Sequence, residues 1–416
     1  MGTLIDPQAF ENGEVHDWYK VVLGYSDHLV ADIIREFELQ RGSAVLDPFC
    51  GSGTTAVECK KLGVDCWAID ANPVSSFAAR VKTNWCLLPD KLIAAAGQVH
   101  TTFPDIRTDR DALCSDPTYQ YLDATGMLDR GWISKARLWD VLAIKSAIRR
   151  LSVPRGYKEL LLLAAMNALV RTASNVRFGP ELYCSGNPGR VNVPKVFRDD
   201  VAQIATDLEA ARTCRSSSTY VTLGDSRHLS RSWLRVPRGG FDAVICSPPY
   251  PAEHDYTRNT RLELAFLEKV TDLESLREIK RTMVRSHTKG IYVTDRDAHL
   301  VDHNVRILRL TERIELKAQQ KTHGFARLYG RVTKEYFGGM TRHLRTLHPL
   351  LKKGARCAYI VGDQASYLQT RIPTAEILAE IAEEIGFTVD TIRVWRRRRV
   401  SSTQRFLAEN VLLFRK

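Results

Sequence analysis

The stretch SAVLDPFCGSGTTAVECKKLGVDCWAID, residues 43–70, decides the fold. Residues 44–46 are predicted to form a short strand, and CGSG, which follows closely, predicts a tight turn. Residues 54–62 are predicted to form a helix that stops at Gly63. A second predicted strand ends at Asp70, so strand, turn, helix and strand follow one another within about 30 residues, which indicates a βαβ unit.

Outward from this unit, predicted strands and helices alternate along most of the 416 residues. Further strands are predicted at residues 220–226, 242–247, 355–363, 387–395 and 409–416, and further helices at 27–37, 201–212, 334–351 and 374–385. This alternation is typical of an α/β fold with an open, doubly wound and mostly parallel sheet. With the two strands of the first unit, the sequence predicts a seven-stranded, Rossmann-like sheet.

Two long segments break the alternation and are predicted to project from the sheet as insertions. Residues 86–198 are largely helical in pattern and end in a loop rich in Gly, Pro and Asn. Residues 255–330 are polar and rich in arginine and histidine. The main domain is therefore expected to comprise residues 1–85 and 199–416, with the second insertion inside it.

The composition indicates a folded protein with a polyanionic partner. Hydrophobic residues make up 44% of the chain, and the formal net charge of +12 favours DNA or RNA, although charge also serves solubility. No apolar run reaches the ~18 residues of a membrane span, and the N-terminus lacks a signal-peptide pattern, so a cytoplasmic location is expected. The nine cysteines form no C-x-x-C pair and the histidines lack metal-ligand spacing, so we expect reduced thiols and no metal.

The glycine turn has the features of a ligand-binding loop. Gly51 and Gly53 let the backbone approach a ligand closely, and the following helix start offers free N–H groups. Asp70, at the end of the next strand, is placed to accept hydrogen bonds from ribose hydroxyls. Because Ala56 stands where a dinucleotide fingerprint has its third glycine, an adenosine ligand other than a dinucleotide is favoured.

The segment VLDPFCGSGTT, residues 45–55, resembles the S-adenosylmethionine-binding motif of the amino-methyltransferases that act on nucleic acids. The resemblance implies that the turn wraps the methionine part of the cofactor and that the acid after the second strand holds its ribose. It also implies that Asp225, in LGDS, lies near the adenine, and that Tyr25 or Ser26, in WYKVVLGYSDHLV, lies beside the cofactor. The implied cofactor-binding residues of the loop and the second strand are Asp47, Pro48, Phe49, Gly51, Gly53, Thr54 and Asp70.

The stretch FDAVICSPPY, residues 241–250, ends in groups suited to activating an amine. An exocyclic amine of cytosine or adenine is a poor nucleophile, because its lone pair is delocalised into the ring. The Ser247 hydroxyl and the Pro248 carbonyl can accept hydrogen bonds from that amine and stabilise the positive charge that develops on methyl transfer. Pro248 and Pro249 fix their φ angles and so aim the carbonyl, and Tyr250 can stack on a base flipped out of the duplex.

SPPY is similar to the form of this motif in the DNA cytosine-N4 methyltransferases, whereas the adenine-N6 enzymes more often carry Asp or Asn in place of the serine. The resemblance implies a methyltransferase of cytosine N4 in the prokaryotic nucleoid, with double-stranded DNA as its partner and a separate restriction endonuclease as an optional second partner. Adenine-N6 methylation, methylation of an RNA amine, and a non-catalytic binding protein of this fold stay open. The sequence predicts no oligomeric state.

Methylation at cytosine C5 is disfavoured. That reaction needs a cysteine thiolate, typically in a Pro-Cys pair, and no proline of this chain precedes a cysteine. Cys246 is expected in the core. The tripeptide ENV, residues 409–411, resembles a tripeptide of the C5 enzymes, but it lies in the last predicted strand, so we interpret Glu409 as a coincidence.

Candidate DNA contacts follow SPPY and occur near the C-terminus. Tyr256 and Arg258 are candidate contacts to the flipped nucleotide or its phosphates, with a solvated loop as the alternative. In WRRRRV, the residues Arg396, Arg397 and Arg398 are candidate phosphate contacts, with a charged, solvated hairpin as the alternative.

Target recognition is expected in one of the two insertions. The cofactor motif precedes the catalytic motif, and residues 86–198 between them are numerous enough for a recognition domain. Residues 255–330 are a rival and a candidate DNA contact.

Overall fold

A computed structural model of the chain describes residues 15–19, 24–178, 182–185, 191–214, 217–321, 324–399 and 406–416. The α-helices in these ranges are α1 (Asp27–Glu36), α2 (Thr54–Lys61), α3 (Pro73–Lys82), α4 (Pro89–Thr108), α5 (Arg110–Cys114), α6 (Pro117–Ala124), α7 (Lys135–Arg150), α8 (Arg155–Ala168), α9 (Val193–Ala210), α10 (Arg231–Leu234), α11 (Tyr256–Asn259), α12 (Arg261–Phe266), α13 (Leu273–Arg281), α14 (Val305–Gln319), α15 (Tyr329–Leu347) and α16 (Thr374–Ile385). The strands are β1 (Ala44–Asp47), β2 (Asp65–Asp70), β3 (Val176–Phe178), β4 (Leu182–Cys184), β5 (Thr219–Leu223), β6 (Phe241–Cys246), β7 (Leu351–Gly362), β8 (Thr388–Arg399) and β9 (Phe406–Arg415). Every helix of the described part is too short or too polar to cross a membrane.

Seven strands form one sheet in the order β5-β2-β1-β6-β7-β9-β8. All neighbours pair in parallel except those of β9, which is antiparallel to both β7 and β8. This arrangement confirms the predicted α/β, mostly parallel, seven-stranded Rossmann-like sheet. The strand order reverses between β1 and β6, and in open α/β sheets ligands bind at the carboxyl ends of the strands beside such a switch point.

Helices cover both faces of the sheet, as the doubly wound prediction requires. Successive side chains of a strand point to opposite faces. In β6, Ala243 and Ile245 pack with α1, α2 and α3 on one face, whereas Val244 and Cys246 pack with α14, α15 and α16 on the other. The prediction that Cys246 lies in the core is therefore confirmed, since its exposed fraction is 0%.

The arginine run near the C-terminus is part of the sheet. The predicted strand ends at residue 395, but β8 continues to Arg399. The physical reason is the ladder with β9, in which Arg396 lies opposite Glu409 and Arg397 opposite Ala408. Residues 400–405, which connect the two strands, lie outside the described part.

The segment at residues 86–198 contains α4 to α8, the small hairpin of β3 and β4, and the start of α9. A π-helical turn directly follows α8. The predicted boundary at residue 198 falls inside α9. That helix packs against both α4 and α8, so the boundary cuts an element of the helical segment. The core of this segment is continuous with apolar side chains of α2 and α3, among them Val57 and Val81.

The segment at residues 255–330 contains α11 to α14 and lies over α15. Much of its charge is buried in pairs. Lys280 Nζ lies 2.6 Å from Asp255, and Arg285 lies 2.8 Å from Asp295, with all four side chains largely buried. The predicted richness in charge therefore includes ion pairs that hold this segment together.

Candidate active site

A cavity of about 870 Å³ opens at the carboxyl edge of the sheet, beside the switch point. Much of its wall comes from the carboxyl ends of β1, β2, β5, β6 and β7 and the residues that follow them. We call the part lined by Phe49, Gly51, Asp70 and Asp225 the glycine-loop end. The SPPY end is the part lined by Ser247, Tyr250, Gln364, Arg396 and Glu409. The structure thus brings the two principal predicted motifs into one cavity.

The predicted site residues divide into those on the cavity wall and those absent from it. Those on the wall are Tyr25, Phe49, Gly51, Thr54, Asp70, Asp225, Ser247, Pro249, Tyr250, Tyr256 and Arg396. Those absent from the wall are Ser26, Asp47, Pro48, Gly53, Pro248, Arg258 and Arg397. The side chain of Arg398 lies outside the described part.

Asp47 lies beneath the glycine loop. Its carboxylate is fully buried, and it accepts hydrogen bonds from the Phe49 N–H at 3.0 Å and the Tyr25 hydroxyl at 2.9 Å. Burial raises the pKa of Asp47 to about 7, against the lowering effect of these bonds. Asp47 therefore organises the loop from behind and ties the predicted N-terminal motif to it.

Asp70 ties the loop to the end of β2. Its carboxylate accepts hydrogen bonds from the Gly51 N–H at 2.8 Å and the Asn72 N–H at 2.7 Å. Burial raises the pKa of Asp70 to about 6. A carboxylate has about four lone-pair positions, so acceptor capacity is left for a ligand in the cavity.

Gly53 allows the loop to turn into α2. Its φ is 91°, and a Cβ built on it would lie 2.9 Å from the Cα and Cβ of Ala79 in α3. Any side chain would meet both backbone strain and a steric clash. The glycine is thus needed for close packing of the loop against α3.

Asp225 reaches the cavity from the end of β5 and is held by an arginine that sequence reasoning missed. Arg227 donates to both carboxylate oxygens of Asp225, with Nη2 2.7 Å from Oδ2 and Nε 3.0 Å from Oδ1. The same guanidinium lies 3.0 Å from Asp297, in the second insertion. The only signal in the sequence was the proximity of Arg227 to LGDS, and Asp297 is far away along the chain.

Ser247 presents its oxygen to the cavity with its proton directed away. Its hydroxyl donates to the Ile360 carbonyl of β7 at 3.0 Å. A hydroxyl carries one proton and two lone pairs, so this bond leaves acceptor capacity. The Tyr250 hydroxyl lies 3.4 Å from the same oxygen. The predicted acceptor is therefore available at the end of β6.

Tyr256 supports the SPPY turn from the side. Its hydroxyl accepts a hydrogen bond from the Tyr250 N–H at 3.2 Å. Burial raises its pKa above the ordinary value. Tyr256 also contacts the His254 ring edge-to-face, with 4.9 Å between centroids, and both rings line the cavity.

Sequence reasoning missed a buried acid on the cavity wall. Glu263 of α12 is 2% exposed, lines the cavity, and accepts a hydrogen bond from the Tyr19 hydroxyl at 2.8 Å. Burial raises the pKa of Glu263 to about 7. Its neighbours come from a distant part of the chain, so no local pattern could have singled it out.

Arg396 and Glu409 form an ion pair across the last two strands. Both line the cavity, and Glu409 is 6% exposed. The resemblance of ENV to the C5 enzymes stays interpreted as a coincidence, and sequence reasoning did not predict this position for Glu409. Arg397, in contrast, is exposed and is absent from the cavity wall.

A cluster of metal-ligating side chains lies away from the cavity. Ligand atoms of His16, Asp27 and Glu58 lie within 4.8 Å of one another. Lys61 Nζ lies 2.8 Å from Glu58, so this carboxylate already has a cationic partner. The expectation that the protein holds no metal stays a prediction.

Comparison with known proteins supports the methyltransferase class that the sequence motifs predict. A family profile described as DNA methylase matches residues 25–76, which include the glycine loop. The type II methyltransferase M.BsoBI of Geobacillus stearothermophilus is 26% identical over 96% of this chain and 84% of that protein. The type II methyltransferase M.AvaI of Nostoc sp. is 23% identical over 96% of this chain and 85% of that protein.

A further relative matches less of the chain. The type II methyltransferase M.MvaI of Kocuria varians is 23% identical over 60% of this chain and 56% of that protein. Together with the seven-stranded sheet, the matched profile and these relatives support a DNA amino-methyltransferase. A methyltransferase of this class implies S-adenosylmethionine as the methyl donor.

Proposed function

We propose that this protein transfers a methyl group from S-adenosylmethionine to the exocyclic N4 amine of cytosine in duplex DNA. The observation that carries the proposal is the position of Ser247. Its oxygen faces a cavity shared with the glycine loop, while its hydroxyl donates a hydrogen bond to the Ile360 carbonyl. The serine of SPPY favours cytosine, and adenine N6 is the principal alternative.

The glycine-loop end is the proposed site for S-adenosylmethionine. Gly51 and the start of α2 would hold the methionine part, Asp70 the ribose, and Asp225 the adenine amine. The cofactor is cationic at sulfur, and the carboxylate of Asp70 on this wall favours a cation. When bound, S-adenosylmethionine supplies an electrophilic methyl group.

The SPPY end would activate the amine. Ser247 Oγ would accept one N–H group, which favours a pyramidal nitrogen whose lone pair can attack. The role of the Pro248 carbonyl as the second acceptor stays a sequence-based prediction, because Pro248 is absent from the cavity wall. The new N–C bond forms as the methyl–sulfur bond breaks, and the nitrogen then loses one proton to water. This chemistry needs neither a covalent enzyme intermediate nor a metal ion.

Duplex DNA is the proposed substrate, with the target base flipped into the cavity and stacked on Tyr250. The type II names of the relatives favour a role in restriction-modification, or an orphan modification enzyme derived from one. A cognate endonuclease would be a separate protein, acting in the same cytoplasm. The segments at residues 86–198 and 255–330 are the candidates for target recognition, together with Arg258, Arg397 and Arg398 for the phosphates.

Modified-base sequencing of DNA from cells that express the protein tests the proposal, because it reports the base and its position together. We expect N4-methylcytosine at one defined sequence. N6-methyladenine alone would establish the adenine alternative. Purified protein that methylates RNA better than duplex DNA would establish an RNA enzyme. Nucleic-acid binding without methyl transfer to either substrate would support a binding protein.

A further inference from the structure

The register of the last hairpin changes at the rim of the cavity. Val394 lies opposite Asn410, but Arg396 lies opposite Glu409, so β8 has one extra residue at this point. Such bulges re-aim side chains and are common next to active sites. Here the irregularity turns Arg396 toward Glu409 and the cavity, whereas a regular ladder would place Trp395 at that position.

Arg396 is held in one orientation but retains donors. Its Nε bonds to Glu409 Oε2, and its Cζ lies 4.4 Å from the centroid of the Trp395 ring. Among the described residues, the terminal nitrogens Nη1 and Nη2 of Arg396 have no hydrogen-bond partner. Glu409 is 8% exposed and Arg396 54% exposed at the side chain, so a buried acid anchors an open guanidinium.

This pair lies close to the tyrosine that would stack on the target base. A Cβ at Gly362 would be 3.3 Å from Tyr250 Cε2 and 3.5 Å from Glu409 Cγ, so these two atoms are less than 7 Å apart. Gly362 lies two residues beyond Ile360, whose carbonyl accepts a hydrogen bond from the Ser247 hydroxyl. Glu409 therefore lies near Tyr250, and Arg396 and Glu409 line the same cavity as Ser247.

From this geometry we infer that Arg396, positioned by Glu409, reads the Watson–Crick edge of the flipped base and selects cytosine over adenine. The inference rests on the proposed function. Cytosine presents two neighbouring acceptors, N3 and O2, beside its amine, and the guanidinium fork of Arg396 matches two neighbouring acceptors. Adenine presents N1 beside its amine and then a C–H group, which would leave one donor unpaired.

The competing explanation is that Arg396 contacts a phosphate, as the sequence predicts. A phosphate contact carries no base information and depends mainly on charge. Lysine keeps the charge but loses the planar fork. Arg396→Met and Arg396→Lys therefore separate the two roles, since base reading requires the fork and phosphate binding requires only the charge.

The experiment first maps the methylated site by sequencing and then uses two duplexes, with cytosine or adenine at the target position. Single-turnover methyl transfer gives the ratio of the two rates. We expect Arg396→Met to lower the cytosine-to-adenine ratio roughly 10- to 100-fold, with unchanged affinity for S-adenosylmethionine. Arg396→Lys should not restore the ratio, and Glu409→Gln should lower it by a smaller factor with Arg396 intact.

The matched control is Arg393→Met. Arg393 is on the same strand and pairs with Glu36 at 2.7 Å, but it is absent from the cavity wall. This variant should keep the ratio of the native protein. Recovery of the ratio by Arg396→Lys, or an unchanged ratio in Arg396→Met, would overturn the inference. If the native protein makes only N6-methyladenine, the proposed function itself fails, and that result needs no variant.

Discussion

The two ends of the cavity are built by different physical means. At the glycine-loop end, two carboxylates with raised pKa values, Asp47 and Asp70, accept backbone N–H groups and fix the shape of a loop. At the SPPY end, strand termini present side chains that are anchored on one side and open on the other. Ser247 is anchored on Ile360, and Arg396 on Glu409.

This difference predicts which property a substitution at each end should change. Changes at the glycine-loop end should alter folding stability and cofactor affinity, because the loop is itself the binding surface. Changes at the SPPY end should alter the rate of methyl transfer or the choice of base, with the cofactor still bound.

The largest expected effect is on the rate, at the SPPY end. Ser247→Ala removes an acceptor for the amine and should lower the single-turnover rate roughly 100- to 1,000-fold, by analogy with the loss of one preorganised hydrogen bond. Affinity for S-adenosylmethionine, measured by calorimetry, should change by less than about twofold. Ser232→Ala, at an exposed serine, is the control. If Ser247→Ala lowered the single-turnover rate and the affinity for S-adenosylmethionine by similar factors, the two ends of the cavity would not have the separate roles described above.

The next effect is on stability, at the glycine-loop end. Because the pKa of Asp47 is about 7 when folded and near 3.8 when unfolded, the folded state holds one more proton between these values. Stability from this group is therefore present at pH 4 and is lost as the pH rises through 7. Asp47→Asn should remove this dependence, and its advantage over the native protein should grow to roughly 2–4 kcal/mol at pH 8.

Urea unfolding of both proteins between pH 4 and pH 8 measures the difference. Parallel stability curves for the native protein and Asp47→Asn would show that folding does not raise the pKa of Asp47. In that case the loop would tolerate a buried charge, and the contrast between the two ends would weaken.

A substitution at Gly53 tests the packing of the glycine loop against α3. Gly53→Ala combines positive φ with a Cβ 2.9 Å from Ala79, and it should destabilise the protein by about 2–3 kcal/mol. Gly42 has a similar φ of 89° with no atom within 4 Å of its built Cβ, so Gly42→Ala should cost only about 1 kcal/mol. Equal losses in denaturant unfolding would mean that contact with α3 is unimportant.

The smallest of these effects concerns cofactor affinity. Asp70→Asn should weaken S-adenosylmethionine binding about 10- to 100-fold at pH 8, because a charged acceptor for the ribose is lost. Since the pKa of Asp70 is about 6, native affinity should fall as the pH drops through 6, while the Asn variant stays flat. Calorimetry at pH 5 and pH 8 would contradict this if both proteins responded equally.

Much of the fold was predictable because it is locally encoded. The glycine turn, the alternation of strands with helices and the proline stop after β6 each depend on a few adjacent residues. The end of β8 was not predictable in this way. Four arginines in succession do not favour a strand, and only the ladder with β9 explains why the strand reaches Arg399.

The sequence predicted the motif residues of the site but not the residues that position them or complete the cavity wall. Asp70 and Ser247 follow recognisable strand ends, whereas Arg227 and Glu263 act through partners distant in the chain. Glu409 was considered only for its resemblance to a tripeptide of the C5 enzymes, and its place on the cavity wall was not predicted. The register shift between β8 and β9 brings Arg396 opposite Glu409 at the cavity. No pattern of adjacent residues in the sequence predicts such a shift.

The central claim is that Ser247 activates a cytosine amine for methyl transfer. Mass spectrometry of nucleosides from duplex DNA incubated with S-adenosylmethionine and either the native protein or Ser247→Ala tests it most directly. We predict N4-methylcytosine with the native protein and about 1% or less of that amount, in the linear phase, with the variant. N6-methyladenine as the sole product, or equal yields of N4-methylcytosine from both proteins, would contradict the claim.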